Sequence, residues 1–547
     1  MIRSREEKTM RKIKSLVTIL SIMAIHYACQ KPDQGLKPIT PQEIEAHTRF
    51  ISDDLLEGRG TGSRGLDIAA LYQENYFRSL GLQPGFGESF RQPFWLKGSQ
   101  PDKNAKLEIF SEGTKAELRV SDDFVLSSYR EDGPETVEGE LIYCGYLIQA
   151  PGRNWDDIKG VDLKGKVLLV EVNEPGNYPG GIFDGEDMTY YGRWTYKFEK
   201  AAELGAAGIF IVFNSKGASY GWEIVKNGWS RERFFLPDKE NQMSFQGWIQ
   251  GDVIDKIFES VHLRYAELAT AAEKQEFKPV LTGLMARVKN KPSFRPVPAE
   301  NVAALLRGKH KEHTDRYVIL TAHHDHLGQD LNKEGDQIYN GALENGTGTA
   351  TLLALARYYA QSPEDLKINL LFLAPTAEEE GLLGSEYFAR QLPFPASPIL
   401  ANLNFQMTNV WRETEDVYAI GGNQSDLDDF CRRAAENRGL RYIPERSGNL
   451  GYFFRSDQLS FARVGIPAVW LHEGVTSRGQ DKDYVVKKDE EYRKNMYHHV
   501  TDEVGEDWDF RGAVQIAEWT QEIISLLSEA KGLLQFNSRS PFQRKNP

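Results

Sequence analysis

Four short polar clusters in the C-terminal half of the chain carry residue types that bind metal ions and move protons. Thr321-Ala322-His323-His324-Asp325-His326 sets imidazoles beside a carboxylate. Imidazole is a common zinc ligand whose second nitrogen ordinarily donates to a carboxylate, so His323 and Asp325 supply both parts. In Gly341-Ala342-Leu343-Glu344-Asn345-Gly346-Thr347-Gly348 the glycines let backbone approach an ion, and Glu344 offers a hard oxygen ligand. Adjacent carboxylates in Ala377-Glu378-Glu379-Glu380-Gly381 repel unless a cation or proton relieves them, so one can bind metal while its neighbour works as a base. Tyr497-His498-His499-Val500-Thr501-Asp502 repeats the imidazole-plus-carboxylate pairing through His498 and Asp502. Taken singly, each has a plainer reading: a His-rich surface loop, a helix cap, a solvated acidic turn, an exposed polar loop.

The elements that must position them are legible as hydrophobic patterns. From about Asn301 the chain alternates strands and helices, with Tyr317 to Ala322, Gly348 to Gln361, Ile368 to Leu373 and Gly384 to Gln391 as the clearest. That alternation predicts an α/β fold with a mostly parallel sheet flanked by helices. Ligands bind such sheets beyond the carboxyl ends of the strands, and the clusters follow predicted strands in order. Upstream, Pro41 to Leu80 reads as helix interrupted by the glycine-rich Leu56 to Ser63, and the amphipathic Leu66 to Leu80 stops at Gly81. From Lys106 to Leu284 short β-rich runs such as Glu140 to Tyr143 and Val167 to Val172 predict a self-contained unit. Within it Lys197 to Leu204 is helical and Ile209 to Phe213 a buried strand.

A chain of 547 residues is too long for one core. With 40% hydrophobic and 27% charged residues it has the composition of a soluble protein rather than a membrane-spanning bundle. A net charge of -13 without a basic cluster argues against a nucleic-acid partner. Arg11, Lys12 and Lys14 precede an apolar run from Leu16 to Ile25, then Ala28-Cys29, which is the pattern of an export signal and too short to span a membrane. Cys29 stands where a lipoprotein signal carries its acylated cysteine, although His26 occupies a usually aliphatic position. The expectation is an exported protein, periplasmic or an outer-membrane lipoprotein, with a lipid on Cys29 as its membrane attachment. Cys144 and Cys431 read as isolated buried thiols.

Together the clusters resemble metallopeptidase family 28, the zinc aminopeptidases. The resemblance spans Asn301 to Leu533 and extends to Leu56-Glu57-Gly58-Arg59-Gly60, Gly381-Leu382-Leu383-Gly384-Ser385, Ser456-Asp457 and Gly465-Ile466-Pro467-Ala468. Leu163-Lys164-Gly165-Lys166-Val167 and Lys200 to Gly208 resemble a protease-associated domain. The expected organisation is an export signal at 1–29, an N-terminal helical part of the peptidase domain at 41–105, an inserted protease-associated-like domain at 106–290, the zinc peptidase domain at 291–533 and a tail at 534–547. The resemblance implies a peptide substrate and zinc, with His323 a ligand of one ion and Asp325 behind it. It makes Glu378 the general base toward a metal-bound water, and Glu379 and His498 ligands of the other ion, with Asp502 supporting them.

Two positions depart from the family pattern. Leu343-Glu344 stands where the family has Asp-Asp, the second bridging the metals, and Gln406 stands where it has a terminal Asp ligand. Two zinc ions would then lack anionic ligands in a poorly solvated cleft. One ion held by Glu344, Glu379 and His498 is balanced, and Gln406 offers only a neutral carbonyl oxygen. The sequence therefore predicts an exported zinc-dependent aminopeptidase-like hydrolase with one ion rather than two. Two other readings are a catalytically silent homologue that binds peptide or sugar and a one-zinc acyltransferase resembling glutaminyl cyclases.

Overall fold

A computed structural model describes residues 36–544 apart from 177, 179, 180, 219, 238–242, 310–314, 365, 397, 447 and 539. The export signal expected over 1–29, with Cys29, lies outside the described residues.

Apolar runs after Asn301 become the centre of a large sheet. Asn369–Ala374, Tyr317–Thr321, Ile399–Asn404 and Ala468–Glu473 pair side by side in parallel, and every residue in them is buried, as expected where helices cover both faces. Gly348–Ala360 is one covering helix, buried without interruption from Gly348 to Ala356. The flanks run the other way. Ser293–Leu306 pairs antiparallel with both Asn369–Ala374 and Arg91–Gln100, and Asp416–Ile420 pairs antiparallel with Ala468–Glu473. The sheet is thus mixed rather than mostly parallel. Its antiparallel side arises because the chain leaves the sheet along Arg91–Gln100 and returns along Ser293–Leu306, traversing neighbouring positions in opposite directions. The 41–105 stretch is accordingly not helical throughout.

Between those two strands a second sheet forms from segments within Lys106–Lys289, with hydrophobic clusters on both faces. The helix expected near Lys197 spans Trp194–Glu203, and its neighbouring strand is Gly208–Phe213. This excursion is not closed on itself, because Arg233–Phe235 leaves it to pair with Arg91–Gln100 in the main sheet. The expected tail is also docked: Leu534, Phe536 and Phe542 are buried in the main core. Cys144 and Cys431 are buried free thiols in different clusters.

The N-terminal helices Pro41–Ile51 and Arg64–Ser79 begin at Thr40 and Ser63, whose hydroxyls accept from the N–H groups of Glu43 and Leu66 at 3.2 Å each. The turn between them drives Arg59 inward. Gly58 is needed there, since its φ is +65° and a Cβ would lie 2.3 Å from the Gly328 carbonyl oxygen. Arg59 is 1% exposed. Its guanidinium donates to the carbonyls of Ile51 (2.5 Å), Asn340 (2.6 Å), His324 (2.9 Å) and Gly341 (3.0 Å). One side chain thus ties a helix end to the loops that follow Tyr317–Thr321 and precede Gly348–Ala360. Arg59→Met leaves those carbonyls buried without this donor, at about 1–3 kcal/mol for each one unsatisfied. Urea unfolding is expected to show a loss of about 3 kcal/mol or more, and a loss below about 1 kcal/mol would mean the loops are held by other contacts.

Candidate functional site

Parallel pairing sets Thr321 level with Leu373 and Asn404. Hydrogen bonding continues past the strand ends, with Ala322 N–H donating to Leu373 O (3.2 Å), His324 N–H to Pro375 O (3.2 Å) and Phe405 N–H to Thr321 O (2.8 Å). His323, Glu378, Glu379 and Gln406 therefore emerge at one edge of the sheet, where open α/β folds place their ligands.

Two buried carboxylates shape the loops beyond. Asp325 accepts from the backbone N–H groups of Glu378 (3.1 Å) and Glu379 (3.3 Å). Asp502 accepts from those of Leu343 (3.0 Å) and Glu344 (3.1 Å) and from the Tyr492 hydroxyl (2.9 Å). Sequence reasoning assigned both to the orientation of imidazoles. Instead, the Asp325 carboxylate stays 3.7 Å from His323 Nδ1, which lies 3.2 Å from the Asp325 carbonyl oxygen, and the Asp502 side chain bonds backbone and tyrosine rather than His498. Backbone N–H groups buried in irregular loops require an acceptor, and a carboxylate can serve several.

The remaining side chains meet in two groups. Glu344 Oε1 lies 3.0 Å from His323 Nε2 and accepts from Gln406 Nε2 at 2.9 Å, while Glu378 Oε2 is 4.0 Å from His323 Nε2. Glu379 sits between imidazoles, 2.8 Å from His326 Nδ1 and 3.3 Å from His498 Nε2. Of the three residues expected to share an ion, Glu379 and His498 face one another, whereas Glu344 turns to His323 and Gln406. Among the described residues no three His, Cys, Asp or Glu side chains close around a common point. Gln406, expected to offer its carbonyl oxygen, donates its amide to Glu344; an aspartate there would repel the same glutamate.

Buried polar atoms are nearly always paired, yet Glu344 Oε2, Glu378 Oε1, Gln406 Oε1 and His326 Nε2 have no hydrogen-bond partner among the described residues. Such a concentration marks a place for an ion or water. Two donors on one tetrahedral zinc at about 2.0–2.2 Å stand about 3.3 Å apart, which matches the 3.3 Å between Glu379 Oε2 and His498 Nε2. Glu379 and His498 thus stand at a spacing that two ligands of one zinc could take, while Glu344, the third expected ligand, faces His323 and Gln406.

Environment drives the adjacent glutamates in opposite directions. Burial, reinforced by Glu379, Asp457 and Glu344, pushes the Glu378 carboxyl well above its usual range against the pull of His323. Burial acts on Glu379 too, but His498 and His326 outweigh it and hold that carboxyl well below its usual range. His498 is raised in turn, because Glu379 and Glu344 overcome burial. Paired carboxylates separated in this way divide the roles of proton carrier and permanent anion. His326 and Tyr497, whose ring stacks on His498 at 3.9 Å, escaped sequence reasoning. The signal for His326 was its place beside Asp325 in a loop ending a buried strand; nothing local marked Tyr497. Glu378, Glu379, Gln406 and His498 open on a cavity of about 680 Å³ that is also lined by Trp194, Phe198 and Phe235.

The chain is similar to known peptidases. Residues 301–519 match the family model of Peptidase family M28. Over 396 residues the chain is 28% identical to aminopeptidase YwaD of Bacillus subtilis (strain 168), an alignment covering 68% of this chain and 70% of that protein. A 113-residue stretch is 32% identical to a probable zinc metalloprotease of Pyrenophora teres f. teres, covering 20% of this chain and 23% of that one. In fold, the chain is similar to the aminopeptidase from Aneurinibacillus sp. strain AM-1, with a TM-score of 0.52 and 20% identity over 90% of this chain and 95% of that structure. Residues 301–519 thus match peptidase family M28, and the chain as a whole is similar to an aminopeptidase.

Proposed function

We propose that the chain is an exported, zinc-dependent aminopeptidase-like hydrolase that works with one ion and uses Glu378 as its base. The observation that carries this reading is the pair Glu378 and Glu379, buried side by side on one cavity, with carboxyl pKa values driven apart. The names of the bacterial aminopeptidase and the fungal zinc metalloprotease support peptide as substrate and zinc as cofactor. Export rests on the N-terminal pattern through Cys29, and residues 106–290 are the proposed protease-associated domain.

Glu379, His498 and Glu344 would hold the ion, which when bound polarises a carbonyl and lowers the pKa of water toward about 7. The proton work falls to Glu378. Its Oε1, buried and unpartnered, is free to accept a proton from the attacking water. The raised pKa lets the carboxyl retain that proton until the departing amine takes it. Asp325 fixes the Glu378 and Glu379 amides, so both carboxylates keep their aim while the charge on one changes. One ion is favoured because Gln406 brings no charge and, with His323, already occupies Glu344 Oε1.

That same tie favours a second reading, a homologue that binds peptide without cutting it. Elemental analysis of purified protein and assay on aminoacyl anilides decide between them: one zinc per chain with anilide cleavage supports the hydrolase, and no zinc with no cleavage supports the silent homologue. Glu378→Gln is expected to lower kcat by about 10²–10⁴ while sparing zinc content, and an unchanged kcat would remove Glu378 as base. Glu344→Asp combined with Gln406→Asp is expected to raise zinc toward two per chain. Persistence of one ion or none would show that the loops, rather than these side chains, control occupancy.

A further inference from the structure

The cavity lining also contains polar groups that the proposed reaction does not use. Arg193 is 8% exposed, and its guanidinium makes no hydrogen bond or ion pair among the described residues; its Nε is among the buried unpartnered atoms. Thr195 Oγ1 and Arg455 Nε are likewise buried without a partner, and all three residues line the cavity. Arg193 is supplied by the second sheet's side of the cavity, whereas Arg455 belongs to the M28 domain, so their approach is a product of tertiary structure.

An unpaired buried cation is costly, and here the neighbouring charge makes it worse. Burial lowers the Arg193 pKa to about 9, and the next contribution is the like charge of Arg455. Arg193 also occupies the N-cap of the helix Trp194–Glu203, which has no side-chain cap and no acidic residue in its first turn. A helix N-terminus repels cations and attracts anions, so guanidinium and helix end both call for negative charge at the same place. The acids lining the cavity are engaged elsewhere. Glu199 holds Arg463 at 2.7 Å, Glu203 holds Lys200 at 2.7 Å, Glu386 pairs with Arg390, and Glu380 faces Arg231 and Arg233. Glu378 and Glu379 belong to the reacting end.

We propose that Arg193, Thr195 and Arg455 form a carboxylate-binding subsite that selects peptides carrying a negative charge away from the scissile bond. This rests on the peptidase reading above and names its substrate class. Each guanidinium carries a planar fork of donors suited to a carboxylate, and a cavity of about 680 Å³ falls within the ordinary range for small-ligand sites, which is about 300–1,000 Å³. The anion is either an acidic side chain or the free C-terminal carboxylate of a short peptide.

Titration calorimetry of the full chain with glutarate and with its neutral diamide tests the subsite without requiring turnover. Glutarate is expected to bind about tenfold or more tightly than glutaramide, a ratio that falls toward one in Arg193→Gln and in Arg455→Gln. Arg193→Gln is further expected to melt no lower than the wild type, because it removes a charge that nothing in the protein neutralises; a marked drop in Tm would assign Arg193 a structural role and overturn its part in the subsite. Equal affinity for the two probes in folded wild-type protein overturns the subsite altogether. Peptide arms separate the source of the charge. A lower KM for Ala-Glu-amide than for Ala-Gln-amide assigns the side chain, a lower KM for Ala-Gln than for Ala-Gln-amide assigns the C-terminus, and equal KM across the set overturns the selection. If no peptide is cut, the peptidase reading fails, and the glutarate comparison still decides the subsite.

Discussion

Carboxylates withdrawn from water need donors, cations or protons, and that requirement organises this protein from its core outward. Asp325, Glu344, Glu378, Glu379 and Asp502 lie within one small region, all buried or nearly so. Each is satisfied differently. Asp325 and Asp502 take backbone N–H groups, Glu344 and Glu379 take imidazoles, and Glu378 leans toward protonation. In their midst lies Arg59, whose positive charge is favoured by Asp325, Asp502, Glu379 and Glu344 while its donors hold backbone carbonyls. The loops that build the site are thereby fixed by polar bonds in a place where hydrophobic packing alone could not specify them.

Function follows from the same constraint. Buried negative charge favours a nearby cation, and the orphaned atoms of Glu344, Gln406 and His326 show where the protein's own partners run out. Division of labour between Glu378 and Glu379 requires no special residue type. Two identical side chains are driven apart because burial outweighs the pull of His323 on Glu378, while two imidazoles outweigh burial on Glu379. Elsewhere in the cavity lining the logic is inverted at Arg193, a buried cation whose pKa is lowered by burial and then by the like charge of Arg455.

Much of this was legible in the sequence, and the parts that were not share a cause. The strands around Thr321, Leu373 and Asn404 could be read because buried parallel strands are continuous apolar runs, and the clusters at their ends follow directly. Strand direction at the sheet's flank could not be read, because it depends on where Arg91–Gln100 and Ser293–Leu306 come to lie after an excursion of nearly two hundred residues. Asp325 does stand 3.7 Å behind His323, but the amides that Asp325 and Asp502 hold come from other loops and were not foreseen. The substitution at Gln406 was visible; its hydrogen bond to Glu344 was not. Arg59 acts through residues distant in the chain, and no local spacing announces such contacts.

The central claim is that Glu379 and His498 bind one zinc ion beside Glu378, and anomalous diffraction tests it most directly. Crystals grown with zinc and measured on either side of its absorption edge should show a single strong peak within about 2.0–2.2 Å of Glu379 Oε2 and His498 Nε2, with Glu344 as the additional protein ligand. A peak elsewhere in the cavity, or none at this place in zinc-soaked crystals, would contradict the account.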